Sequence, residues 1–184
     1  MSWLNSIFLW VYCMRYSTAL FLLLAATILF GVLKQTLPTE RVFRVIVVLA
    51  LLFWSLAVSW NTLAGRESVL NNSASSLIPF HSYYVVFTGG ERELLRSNFM
   101  NVILFYPAGL LACELLPKRW SQAKKILLVV ALFVLVSAGI EFCQYHFALG
   151  QAEIDDVIHN ALGALVGALV CTINLKCKPY KSKD

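Results

Sequence analysis

Five long runs of apolar residues divide this chain, and they constrain its fold more than any other feature. About 20 apolar residues in a helix cross the roughly 30 Å hydrocarbon layer of a membrane. Runs of about that length lie at about 16–33, 42–63, 99–116, 126–149 and 157–175. The chain has 184 residues, of which 59% are apolar and 14% charged. A soluble domain of this size could not bury so much apolar surface.

We therefore predict an all-α fold, a polytopic membrane helix bundle with about five transmembrane helices. Residues 1–175 would form one integral-membrane domain, followed by a basic tail at 176–184. The first 16 residues are apolar and aromatic, so they either lie at the membrane interface or extend the first span. The chain starts without a basic region, and no clear small-x-small site follows, which argues against a cleaved signal peptide.

The Lys and Arg residues predict the orientation of the bundle. Eleven of the 15 basic residues lie in the two loops after spans one and three and in the tail. The remaining four, Arg15, Arg66, Arg92 and Arg96, lie on the opposite side. Basic loops stay in the cytoplasm. The N-terminus is therefore expected outside the cell and the C-terminus inside, and the positive charge is assigned to orientation, without a nucleic-acid partner.

Two connections are expected to face outward. One is a long loop, 64–98, whose stretch 76–84 is amphipathic and rich in aromatic residues, as suits the headgroup layer. The other is short and acidic, 150–156. Because loops of more than about 15 residues are usually functional or disordered, the long loop is a candidate functional segment.

Polar side chains of three spans are predicted to meet near the outer face. A charged residue at mid-membrane costs about 2.5–3.5 kcal/mol on insertion scales, so such residues usually have a function. Span three enters from outside, span four leaves there, and span five enters there. The candidate substrate-binding residues that this topology brings to one depth are Asn101, Glu141, Gln144, Asp155, Asp156, His159 and Asn160.

Helical spacing also supports simpler roles for some of these residues. Asp155 and His159 are four apart, as are Asp156 and Asn160, so each pair shares a helix face. An acid in the first turn of span five could simply cap that helix. Capping by one aspartate would not account for the other, nor for Glu141.

Two further features are read mainly as structural. Gly163 and Gly167 form a GxxxG pattern, which lets helix backbones approach closely in lipid. It predicts packing within the chain, with a homo-oligomer formed through the same glycines as the alternative. Glu114 lies beside Lys118 at the inner end of span three, where it could snorkel to the interface.

Four short elements resemble the VanZ-like family, in the family's order. Residues 101–109 resemble its N-x-x-x-F-x-P-x-G element, 140–144 its I-E-x-x-Q element, and 153–164 its D-x-D-D-x-x-x-N-x-x-G element. Residues 77–80 resemble the I-P-F of its outer loop. One departure is that family members often carry an Arg shortly before the acidic cluster, where this chain has Gln151.

The resemblance implies a multi-pass protein of the bacterial cytoplasmic membrane. The founding member of the family is associated with resistance to teicoplanin, a glycopeptide antibiotic that acts outside the cell on lipid-linked peptidoglycan precursors. Membrane lipids, such a precursor or a lipoglycopeptide are therefore the expected partners.

Three functions compete on the sequence alone. The preferred one is a binding protein whose outward pocket recognises a lipid-linked envelope precursor or a lipoglycopeptide, without a cofactor or metal. The alternative is an intramembrane enzyme that acts on a lipid headgroup by acid–base or metal-assisted chemistry. A proton-coupled transporter is less favoured, because five spans lack the repeated halves that are common in transporters.

Overall fold

The computed structural model describes residues 16–37, 39–64, 76–89, 93–150 and 152–174. Within these ranges the protein is all-helical, with no strand. Its six helices are α1 (Tyr16–Thr36), α2 (Glu40–Ser59), α3 (His81–Gly89), α4 (Glu93–Leu115), α5 (Gln122–His146) and α6 (Ile154–Asn174). A five-residue π-helical turn, Trp60–Ala64, follows α2 directly.

Four of these helices are long and apolar enough to span a membrane, which confirms a multi-pass helical bundle. They are α2, α4, α5 and α6, and they correspond to the last four predicted spans. The predicted first span coincides with α1, of which the stretch Leu23–Thr36 qualifies as a shorter apolar helix. The predicted bounds differ by a few residues, most for α4, which begins at Glu93, ahead of the predicted 99.

The core of the bundle is the contact between α4 and α6. Half of each of these spans is buried, whereas α2 and α5 are mostly exposed along their apolar length. The exposed Leu, Val and Phe side chains on α2 and α5 are suited to contact with the hydrocarbon chains of lipids. Among the described residues, α4 and α6 are thus the two central spans, and α2 and α5 leave most of their apolar surface exposed.

Small residues set the distance between α4 and α6. A Cβ atom built on Gly163 would lie 2.3 Å from the carbonyl oxygen of Val102, and one on Gly167 would lie 2.1 Å from that of Tyr106. From the other side, a Cβ on Gly109 would lie 2.2 Å from the carbonyl oxygen of Ala164. The predicted internal packing of the GxxxG pattern is therefore present. An oligomer through these glycines would need this contact to open, and it stays a prediction.

Part of the predicted outer loop is helical, because residues 81–89 form α3. The segment 76–89, called the docked segment below, starts with Ser76 paired to the chain just before α6. The Ser76 N–H donates to the carbonyl of Ala152 at 3.1 Å, and the Ile154 N–H donates to the carbonyl of Ser76 at 3.1 Å. Gln151, the first 15 residues and the tail 176–184 lie outside the described residues.

At the opposite end of the bundle, the structure corrects the prediction for Glu114. This carboxylate is buried and pairs with Lys34 of α1 at 2.6 Å, and the thiol of Cys171 lies 3.5 Å from the same oxygen. Lys118, the predicted neighbour, pairs with Glu40 at 2.8 Å. Glu114 therefore fastens α1 to the central spans and does not snorkel beside Lys118.

Candidate functional site

All seven predicted site residues lie at one end of the bundle, where α5 ends and α4 and α6 begin. We call these residues the polar cluster: Asn101, Glu141, Gln144, Asp155, Asp156, His159 and Asn160. Asn101 and Asp156 are half-buried, and the other five are buried. The cluster is divided into several small hydrogen-bonded groups, each of which links two parts of the chain.

Asp155 is the acceptor that fixes the docked segment. One carboxylate oxygen accepts from the Phe80 N–H at 2.5 Å, and the other accepts from the Ser82 N–H at 2.8 Å and the Ser82 hydroxyl. Asn98 in turn donates to the Ser82 hydroxyl oxygen at 2.8 Å. Since Phe80 and Ser82 flank the start of α3, Asp155 caps the N-terminus of a helix other than its own. From the sequence, capping of α6 by one of Asp155 and Asp156 was the simpler alternative.

His159 connects the same segment through Tyr83. The backbone carbonyl of Asp155 can only accept, so the Nδ1–H group of His159 donates to it. In the neutral ring, Nε2 then accepts from the Tyr83 hydroxyl, at a distance of 2.8 Å. The two rings also lie against each other, with centroids 5.7 Å apart. Both ring nitrogens are thus engaged within the protein, and His159 positions the docked segment.

The remaining members join α5 to its neighbours and α4 to α6. Glu141 accepts from the backbone N–H of Glu153 at 2.9 Å, and Gln144 donates to the carbonyl of Thr62 at 3.2 Å. Asn101 donates to a carboxylate oxygen of Asp156 at 2.7 Å. The polar cluster therefore links the parts of the chain that meet at this end of the bundle.

Asn160 differs from the other members in one respect. It is 5% exposed, and its Nδ2 donates to the hydroxyl of Ser137 at 2.8 Å. Its carbonyl oxygen Oδ1 is the one buried side-chain nitrogen or oxygen, among the described residues, without a hydrogen-bond partner. A buried acceptor left unsatisfied costs about 1–3 kcal/mol. Such an atom marks a place where a donor from a ligand or a water would be stabilised.

Comparison with known proteins gives a family. The model of the VanZ/LLP1 family matches residues 41–175, which is well over half of the chain. The chain belongs to the VanZ/LLP1 family. No curated protein and no solved structure among those compared with the chain gave a match. The VanZ/LLP1 match spans α2 to α6 and includes every member of the polar cluster.

The structure gives physical meaning to the elements that resemble the VanZ-like family. Residues 101–109 and 153–164 pack backbone to backbone through Gly109 and Gly163, with the Asn101–Asp156 hydrogen bond at the top. Residues 140–144 bring Glu141 and Gln144 to the same end, and residues 77–80 lead into the turn that Asp155 holds. The elements are therefore parts of one assembly in this VanZ/LLP1 protein.

Three hydroxyl residues of the assembly were missed by sequence reasoning. Ser137 precedes Glu141 by four residues on α5, so helical spacing could have extended the predicted polar stripe to it. Ser82 and Tyr83 gave no comparable signal, because their partners lie more than 70 residues away in the chain. Among the described residues, no group of three or more His, Cys, Asp or Glu side chains is arranged to hold a metal ion.

Proposed function

We propose that this protein binds, at the polar cluster, the polar part of a lipid-linked cell-envelope precursor or of a lipoglycopeptide. The polar end of the bundle would face outward from the bacterial cytoplasmic membrane. Binding there would lower the susceptibility of the cell to teicoplanin. The enzyme alternative gains no support from His159, whose two ring nitrogens are both used within the protein.

The unpartnered Oδ1 of Asn160 is the observation that carries this proposal. It is a fixed, buried acceptor, and it is held in place because the other amide atom is bonded to Ser137. Sugar hydroxyls and peptide N–H groups are donors that such an oxygen accepts. Asn101 on the neighbouring helix α4 and Asp156, one turn before Asn160 on α6, are half-buried and add an amide and a carboxylate that can hydrogen-bond to the same ligand.

Exposed aromatic and apolar side chains surround the polar cluster and support a ligand at a membrane surface. Phe80, Tyr84 and Phe87 of the docked segment are exposed, as are Tyr145 and Phe147 at the end of α5. Aromatic residues are enriched where hydrocarbon meets headgroups. The cluster would then lie at headgroup depth, where the polar part of a lipid-linked ligand lies.

A susceptibility assay tests the proposal directly. The protein would be expressed in a teicoplanin-susceptible bacterial host, together with Asn160→Leu and with the Glu141→Ala/Asp156→Ala double variant. Wild type is expected to raise the inhibitory concentration of teicoplanin, and both variants are expected to lose this protection. Thr172→Val is the matched control, because Thr172 is buried on the same helix at its other end and bonds only within that helix.

Protein levels in the membrane separate loss of binding from loss of folding. The comparison counts only variants whose amount and melting temperature in detergent match those of wild type. If neither Asn160→Leu nor the double variant passes this criterion, Asn160→Asp replaces them, since it keeps an acceptor and should retain protection. No protection by wild type, or full protection by Asn160→Leu at normal protein level, would overturn the proposal.

A further inference from the structure

A groove runs along the bundle between α2 and α5. Its volume is about 230 Å³, and its walls are the stretches 51–59 of α2 and 132–140 of α5. The lining is apolar except for Ser55 and Ser59. Ser55 donates to the carbonyl of Leu51, one turn earlier in its own helix. Both walls belong to helices long and apolar enough to span a membrane, so in a membrane the open side of the groove would face lipid.

The floor of the groove is fixed by an aromatic cluster. Trp54 contacts Phe105 and Phe133 edge-on, with ring centroids 5.2 and 5.7 Å apart. Its indole N–H donates to the carbonyl of Leu104 at 2.8 Å. A bonded and packed Trp54 cannot swing out to fill the space, so the groove is preformed.

The length of the groove fits a hydrocarbon chain. The eight residue steps along each wall rise about 12 Å, close to the roughly 15 Å of a single leaflet. A hydrocarbon chain that lies parallel to α2 and α5 would contact a mostly apolar lining over that length.

The position of the groove links it to the polar cluster. It occupies the half of α2 that is nearer the polar end, and it stops at Ser59 and Ile140. One turn farther, Gln144 of the polar cluster donates to the carbonyl of Thr62. A chain lying in the groove would therefore place its attached headgroup at the polar cluster.

We propose that the groove seats the hydrocarbon chain of a lipid-linked ligand, of which the polar cluster binds the headgroup. This inference rests on the proposed function. It adds that the hydrocarbon chain of the ligand contributes to its affinity for the protein within the membrane. The protein would recognise two connected parts, one hydrocarbon chain between α2 and α5 and one polar group at the mouth of the bundle.

Fluorescence of Trp54 tests occupancy of the groove. In a variant with W3F, W10F, W60F and W120F, Trp54 is the remaining tryptophan of the chain. The variant is placed in nanodiscs of phosphatidylcholine with or without bromine on the acyl chains, since bromine quenches tryptophan on contact. We expect brominated lipid to quench Trp54, and a few mole per cent of unbrominated polyprenyl phosphate to relieve that quenching.

Two controls locate the effect in the groove. Val136→Phe fills it and should abolish relief by polyprenyl phosphate, whereas Val134→Phe, an exposed position on the same helix outside the lining, should not. A reference variant with Trp54→Phe and Leu135→Trp carries its tryptophan on the exposed face of α5 and should be quenched without relief.

Three outcomes would overturn the proposal. If Trp54 is not quenched, a protein segment or a second copy covers the groove. If quenching is not relieved, bulk phospholipid fills it. If Val136→Phe behaves as Val134→Phe does, the chain binds elsewhere. The measurement uses no antibiotic, so loss of the teicoplanin effect with intact relief at Trp54 would reject the proposed function and leave the groove site standing.

Discussion

Removing the carboxylate of Asp155 should release the docked segment while the spans stay assembled. The carboxylate accepts from two backbone N–H groups and one hydroxyl of residues 80 and 82, and it is 2% exposed. Hydrogen bonds to a charged group contribute about 1.5–3 kcal/mol each, and loss of a helix cap alone costs about 1–2 kcal/mol. Phe80 also has a φ of 63°, which costs a non-glycine residue about 1–2 kcal/mol unless its contacts hold it.

For Asp155→Ala we therefore expect the docked segment to open with a free energy about 3–5 kcal/mol lower than in wild type. At 1.4 kcal/mol per tenfold, amide exchange in residues 76–89 should accelerate by about 100-fold or more. Hydrogen exchange followed by mass spectrometry on peptides that cover this segment measures the change. Peptides from α4 and α6 should keep their protection, because the Gly109–Ala164 and Gly163–Val102 contacts do not involve Asp155.

Thr172→Val is the control on the same helix, because the buried Thr172 hydroxyl donates to the Leu169 carbonyl within α6. It should leave exchange in residues 76–89 within a few-fold of wild type. Equal acceleration in the two variants, or none in Asp155→Ala, would refute the cap assigned to Asp155.

Three further predictions follow from the packing and charge of the bundle. Gly167→Ala should lower the free energy of unfolding by about 3 kcal/mol or more, because its Cβ would lie 2.1 Å from a backbone oxygen. Gly139→Ala is the control and should raise the free energy of unfolding slightly, because no atom lies within 4 Å of its Cβ. Equal melting temperatures of the two variants would contradict this prediction. Lys34→Ala and Glu114→Ala should show a coupling energy of about 0.5–3 kcal/mol in a double-mutant cycle read by thermal unfolding, and additive losses would dismiss their ion pair. If the C-terminus is cytoplasmic, as the basic loops predict, a green fluorescent protein fused to it should fluoresce, and alkaline phosphatase inserted after position 70 should be active. The opposite result for both fusions would show the reverse orientation.

The positions and order of four of the five predicted spans followed from the sequence, because they depend on local composition. The apolar runs needed no knowledge of the neighbouring helices, and the topology alone placed Glu141, Asn101 and Asp156 at one end. Contacts between helices that are far apart in the chain could not be predicted from the sequence. Glu114 was assigned to Lys118 because the two are close in sequence, but the packing of α1 brings Lys34 to within 2.6 Å.

The roles of the polar residues were harder to predict than their location. The spacing of Asp155 and His159 predicted that they share a helix face, but not that both would bind the docked segment across more than 70 residues of chain. The same distance hid Ser82 and Tyr83. An amphipathic pattern at 76–84 indicated an interface segment, and the helix within it depends on a cap that only the fold supplies.

Direct binding of a lipid-linked precursor to the purified protein tests the central claim, that the polar cluster holds the headgroup of such a ligand. Nanodiscs with wild type, Asn160→Leu or Thr172→Val would be titrated with a polyprenyl-diphosphate-linked sugar peptide, and the bound fraction measured. Removing one buried acceptor should weaken binding by about 1–3 kcal/mol, so the affinity of Asn160→Leu should be about 5- to 140-fold lower than that of wild type. Thr172→Val should bind as wild type does. Equal affinity of all three proteins, or no binding by wild type, would contradict the account.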